Sequence, residues 1–155
     1  MLLLKAFFNT SAIVEGIDSQ SDKVDAESPD TLIYENLFPY LRIPDTTTKA
    51  DTYIMVAVDA VNIHKNRTYA DYRITIWVLA HQHRMRMEGR SATRIDYLSD
   101  EIKKVLDRDL QYGFNKLELV ANREIILNDK YLYREMRFEV PDLRMPVQGW
   151  DKFSG

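Results

Sequence analysis

Two imidazoles stand two residues apart, at His81 and His83. On an extended strand both side chains leave the same face, and two imidazoles so placed can share a metal ion. A third ligand would have to be an Asp or Glu from elsewhere, and no spacing in the chain places one. Arg84 and Arg86 follow at once and oppose a bound cation; the plainer reading is a polar strand end. Glu101-Ile102-Lys103, read with Pro44-Asp45, has the residue types of a nuclease in which two acids hold magnesium and a lysine assists. That chemistry needs the Glu and Lys on a core strand beside the Asp, whereas here they fall on the polar side of an amphipathic helix. Asp59 interrupts an apolar run and would be costly if buried alone. It can pair with Arg73 across a hairpin or lie on the open face of a sheet. Gly89 and Gly113 stand alone, so no glycine-rich phosphate loop is present, and no GxSxG, HExxH or dinucleotide fingerprint occurs. No catalytic residue, cofactor or metal is therefore expected, and the chain reads as a non-enzyme.

The elements that would position such groups are legible from periodicity. Strands are expected at 52–63, 70–83, 114–126 and 130–140, with one helix inside 91–110. The first strand is apolar almost without break from Tyr53 to Val61, which suits cover on both faces. The second alternates: Tyr72, Ile74, Ile76, Val78 and Ala80 share one face, Arg73, Thr75, Trp77, Leu79 and His81 the other. In the helix Ile95, Leu98, Ile102, Val105 and Leu106 recur at three and four, with Leu110 as a possible continuation. Thr93 with Asp96 has capping-box spacing, and Gly113 lies just past the end. Asn128-Asp129 is a turn dipeptide joining the last two strands. Leu132, Met136, Phe138 and Val140 should face the core, leaving Tyr131, Tyr133, Glu135, Arg137 and Glu139 as an outward row. Residues 1–15 suit a short helix or strand, 16–31 an acidic loop, and Ser28-Pro29 the start of a helix running from Asp30 to about Leu37. The expected fold class is α+β: one domain, mostly antiparallel sheet in a β-β-α-β-β core, with an amphipathic helix on one face and short N-terminal helices. Residues 1–50 form an N-terminal extension, 51–140 the core and 141–155 a tail.

A length of 155 residues suits a single core. With no cysteine there is no disulfide, zinc finger or thiol nucleophile, compatible with a reducing cytoplasm. MLLLKAFF is too short and wrongly flanked for a signal peptide, and no run approaches the length of a membrane span, so a soluble chain without membrane contact is expected. Net charge is −3, against bulk nucleic-acid binding, but the charge is segregated. Acids dominate 15–35, and bases dominate 64–94 through Lys65, Arg67, Arg73, Arg84, Arg86, Arg90 and Arg94. These are two solvated regions, complementary patches meeting between subunits, or a basic surface toward nucleic acid. Lys65, Arg67, Arg84, Arg86 and Arg90, the outward Tyr131 and Tyr133, and the tail's Trp150 and Phe153 are the candidate interface or lumen residues.

Several phrases carry a resemblance: NLFPYLRIPDTTTKADTYIMVAVDAV, then DYRITIWVLAHQHRM, RIDYLSDEIKKVL and GFNKLELV. In element order and in these phrases, over about residues 32–140, the chain resembles small neck proteins of tailed bacteriophages, with tail terminator or tail completion proteins first and head–tail joining proteins next. The resemblance implies a mixed α/β fold and a structural virion protein, assembled in the host cytoplasm, that forms a ring, commonly a hexamer. Its implied partners are copies of itself, the tail tube protein, the head connector or stopper, and genomic DNA passing the lumen without sequence readout. An adaptor or stopper beside the portal is the alternative, and a small metal-dependent enzyme using His81 and His83 a second. The family carries no catalytic motif.

Overall fold

The computed structural model describes residues 2–43, 50–61, 69–108, 117–139 and 145–146. Helices α1 (Leu2–Phe8) and α2 (Ser11–Ile17) open the chain, followed by a 3-10 turn at Pro29–Leu32. Strands β1 (Leu37–Phe38), β2 (Thr52–Val61) and β3 (Tyr69–His81) come next, then helix α3 (Arg94–Arg108), β4 (Glu118–Ile126), β5 (Tyr131–Glu139) and a short β6 (Met145–Pro146). The sheet order is β1-β2-β3-β5-β4; β1 runs parallel to β2, every other pairing is antiparallel, and β6 pairs with the start of β3. The α+β single-domain class expected from periodicity is what the chain forms.

The register explains the core. Val78 of β3 faces Ile54 of β2 on one side and Arg134 of β5 on the other, and Ile76 faces Val56 and Met136. These even positions of β3 point to one face, where α1, α2 and α3 cover them. Ile95, Leu98, Ile102 and Leu106 are all buried against it, as are Leu4, Phe7, Ile13 and Ile17. The three-and-four spacing of α3 thus produces a buried stripe, and Val105 packs at its margin. Thr93 caps α3: its hydroxyl donates to Asp96 Oδ2 at 2.6 Å and accepts from the Asp96 N–H at 3.3 Å. A cap of this kind is worth about 1 kcal/mol. Glu101 and Lys103 lie on this helix, each in an ion pair within one turn, with Lys104 and Asp107. Asp59 is exposed, opposite Arg73 in register, while the Arg73 guanidinium reaches Glu139 instead.

Some expectations change. Only Thr52–Val56 of β2 is covered on both faces; from Val58, which is 57% exposed, the strand runs out beyond β1. No α-helix spans 30–37. Pro29 does occupy a first helical position, but the 3-10 turn ends at Leu32, and Asn36 takes over. Fully buried, Asn36 donates to Thr52 O at 2.8 Å, accepts from the Ser19 hydroxyl, and offers its carbonyl to Ile54 N–H at 2.7 Å. That ties 37–38 to β2 as a strand rather than a helix. The acidic loop is likewise anchored: Asp51, buried, accepts from Gln20 N–H and Thr52 N–H. Gly113, Leu110 and Val140 lie outside the described residues.

Candidate interaction face

Among the described residues, helices cover only one face of the sheet. The odd positions of β3 point to the other face and build a second, smaller cluster. Phe38, Met55 and Leu79 are buried in it, with Tyr53, Trp77 and Tyr133 half-buried around them. The chain from Pro39 to Ile43 lies across one end. Arg42 N–H donates to Met55 Sδ at 3.1 Å, its guanidinium sits 4.9 Å from the Phe38 ring centre, and Tyr40 meets the same ring edge-on. Between this segment and the strands is an open groove of about 210 Å³. Its floor is Met55, Trp77, Leu79 and Tyr133, and its rim is Leu41, Arg42, Ile43 and Leu127. Ile43 is 78% exposed and Leu41 59%. Among the described residues, one cation on an otherwise apolar rim gives a site shaped to hold an apolar or aromatic side chain.

A salt-linked ladder continues the same face. Glu135 is only 6% exposed, yet it accepts from Trp77 Nε1 at 3.1 Å, from Arg123 Nε and Nη2 at 3.0 and 2.8 Å, and pairs with Arg137 at 2.9 Å. Burial alone would push its carboxyl up. The bonds from Arg123 and Trp77 and the adjacent guanidinium charges outweigh burial and hold it below the usual carboxylate range. The ladder fixes the Trp77 ring beside the groove. Tyr53, at the other side, has its phenol pushed up to about 12, by burial first and then by the nearby Tyr131 and Asp51. It therefore stays protonated at every physiological pH.

The sheet also has an open edge, since among the described residues nothing pairs with the outer side of β4. That edge is guarded. A register shift between Leu119 and Ala121 breaks its regularity, and Arg123 and Glu124 place charges along it. Bulges and charges of this kind discourage edge-to-edge pairing, so the groove is the stronger candidate contact.

A family model described as YomW matches residues 3–140. The chain belongs to the YomW family. No curated protein matches it. The YomW match takes in both sheet faces and all three helices, ending just beyond β5, so the groove belongs to the family region and the tail does not.

Within this YomW fold the sequence candidates scatter. Tyr131 is corrected: it is 0% exposed, packed edge-on to His81 at 5.0 Å, and so is no outward side chain. The row is outward only in part, because the 39–43 segment and the neighbouring strands enclose its first members; Tyr133 is half-buried in the groove floor. The strand ends at His81, and His83 sits in a 3-10 turn, so the shared strand face is not the reason the rings meet at 4.9 Å. His81 Nδ1 already accepts from the His83 backbone N–H. Burial, then His83 and Lys130, hold the His81 pKa below its ordinary value. Among the described residues no group of three His, Cys, Asp or Glu is placed to hold a metal.

The segregated charges meet inside one chain. Arg84 pairs with Asp18 at 2.5 Å, Arg90 with Glu15 at 3.2 Å while lying over the Tyr97 ring, and buried Arg94 bonds to Gly16 O and Arg84 O. Arg86 is exposed beside a shallow cleft with Arg90 and Ser91. Lys65, Arg67, Trp150 and Phe153 lie outside the described residues. Leu41, Arg42, Ile43 and Leu127 were not singled out from the sequence. The available signal was an apolar pair, Leu41 and Ile43, inside a connector bounded by Pro39 and Pro44.

Proposed function

We propose that this chain is a structural subunit of a phage neck, forming an oligomeric ring that terminates the tail tube and joins it to the head connector. The observation that supports this best is the second sheet face, where an apolar groove with exposed Leu41 and Ile43 lies open beside a salt-linked ladder. An apolar site of this kind is a contact surface, and a ring needs one contact repeated head to tail until it closes. The resemblance over about residues 32–140 to tail terminator or tail completion proteins supports a place at the neck. DNA in the lumen would meet few of the basic residues. Arg84 and Arg90 are paired within the chain, and Arg86, also exposed, has no ion pair among the described residues.

Mass photometry of the purified chain, alone and with the tail-tube protein of the same phage or prophage, tests the reading. A ring-sized species, alone or on the tube, with cross-links to tube protein, is expected. A chain that stays monomeric in both conditions overturns it. Cross-links to portal-side proteins instead would move it to the head-completion stopper class.

A further inference from the structure

We infer that the groove receives Trp150 from the tail of a neighbouring copy, so that the tail of each subunit docks on the next. The inference deepens the ring reading, and the two can fail separately.

The first observation is fit. A dry cavity of about 150 Å³ in an engineered protein accommodates a benzene ring, so a groove of about 210 Å³ floored by Met55, Trp77, Leu79 and Tyr133 has room for an indole. Trp150 is one of only two tryptophans in the chain, and the other, Trp77, is in the floor. Asp151 follows Trp150, with Lys152 next, and Arg42 is the cation among the described residues of the rim, so Asp151 can meet a charge of opposite sign there.

The second observation is reach. β6 pairs Met145 with Ala70 and Pro146 with Tyr69, at the opposite end of β3 from the groove. Because β6 is antiparallel to β3, the chain at Pro146 is heading away from Leu79. Leu79 lies ten residue steps along β3 from Tyr69, about 33 Å at strand rise. Trp150 is four residues past Pro146, at most about 14 Å of chain. Its own groove is out of reach. Phe153 could approach Trp77 only with every residue extended and none left to reverse direction. A tail leaving one end of the sheet and a groove at the other end are the two unlike halves of a head-to-tail contact.

The chain has no cysteine, so single thiols report without background. Ile43→Cys and Asp151→Cys variants of the full chain, separately tagged, are mixed and joined with a short bis-maleimide. Ile43 is largely exposed, and circular dichroism checks that each variant folds. The expected product is a 43–151 pair between differently tagged copies, exceeding the 43–43 and 151–151 pairs. Adding Trp150→Ala to the Asp151→Cys chain should remove it. The double variant Ile43→Cys/Asp151→Cys should give covalent multimers. An internal cross-link within one copy, no 43–151 product, or a product indifferent to Trp150→Ala each overturns the inference. A ring that assembles without the 43–151 product leaves the ring reading standing and removes this contact. A 43–151 product in chains that never close does the reverse.

Discussion

Replacing Arg94 by Met should destabilise the protein by about 3 kcal/mol. The Arg94 guanidinium is buried where α2, the 84–92 connector and α3 meet. Nε donates to Arg84 O at 2.7 Å and Nη1 to Gly16 O at 2.5 Å, while Asp18 Oδ2 stands 3.8 Å from Nη2. A hydrogen bond to a charged group contributes about 1.5–3 kcal/mol net, and methionine leaves both carbonyls without that donor. The Asp18 contact adds little, because that carboxylate is more than half exposed. Against the loss stands relief from burying a cation; burial is the first cause holding this guanidinium's pKa below its ordinary value. That places the expected cost at the lower end of two such bonds. Urea unfolding measures it. With a slope of about 2 kcal/mol/M, the midpoint should fall by about 1.5 M at unchanged slope. Arg94→Lys keeps the charge but cannot reach both carbonyls in a fork, so it should fall in between. A midpoint within about 0.25 M of the parent for Arg94→Met would refute the view that this one side chain joins the three elements.

Gly16→Ala should cost about 1–3 kcal/mol by overpacking, because the new Cβ would stand 2.5 Å from Leu98 Cδ2 and 3.0 Å from Tyr97 Cε1; thermal melting reads the loss, and an unchanged melting temperature would contradict the close approach of α2 to α3. Glu135→Gln should be less stable than the parent near neutral pH, and the gap should close on acidification. The folded-state pKa of Glu135 is depressed below 4.5, so its contribution is present above about pH 4.5 and disappears as pH falls through the folded value; a gap independent of pH refutes the ladder. His81, depressed below 6.5, contributes in the same direction: full stability above about pH 6.5, lost as pH falls through its folded value. NMR titration should find its imidazole more than half neutral at pH 6.5, and an apparent pKa above 6.5 would count against its burial beside Tyr131.

The parts of the fold that were legible in the sequence are those whose cause is local. The α3 stripe depends on residues three and four apart, the Thr93–Asp96 cap on residues three apart, and the turn at 128–131 on Asn128 Oδ1 accepting two nearby backbone N–H groups. Alternation in β3 sorted its side chains into the two faces, one of which, Ile74, Ile76, Val78 and Ala80, the structure buries under the helices. The candidate site was legible only in fragments. Trp77 and Leu79 were placed on one face of their strand and Tyr133 in the outward row of another, but nothing local announced that these would meet or that Leu41 and Ile43 would form a rim.

Composition and periodicity, acting over a few residues, determined the class, the helix and the two hairpins β2–β3 and β4–β5, while the β3–β5 pairing that joins them came only from the tertiary structure. Tertiary structure alone decided which second-face residues are sheltered. Tyr131 and Glu135 alternate with core residues just as solvent-facing side chains do, yet both are buried. Tyr131 is met by Tyr53 of β2 and His81 of β3, and Glu135 by Trp77 of β3 and Arg123 of β4. Tertiary structure also brought Glu15 and Asp18 to Arg90 and Arg84, so that part of the segregated charge, for which the sequence left solvent, a neighbour or nucleic acid open, forms internal ion pairs. Periodicity reports which way a side chain leaves its own strand or helix; what it meets there is set by distant chain.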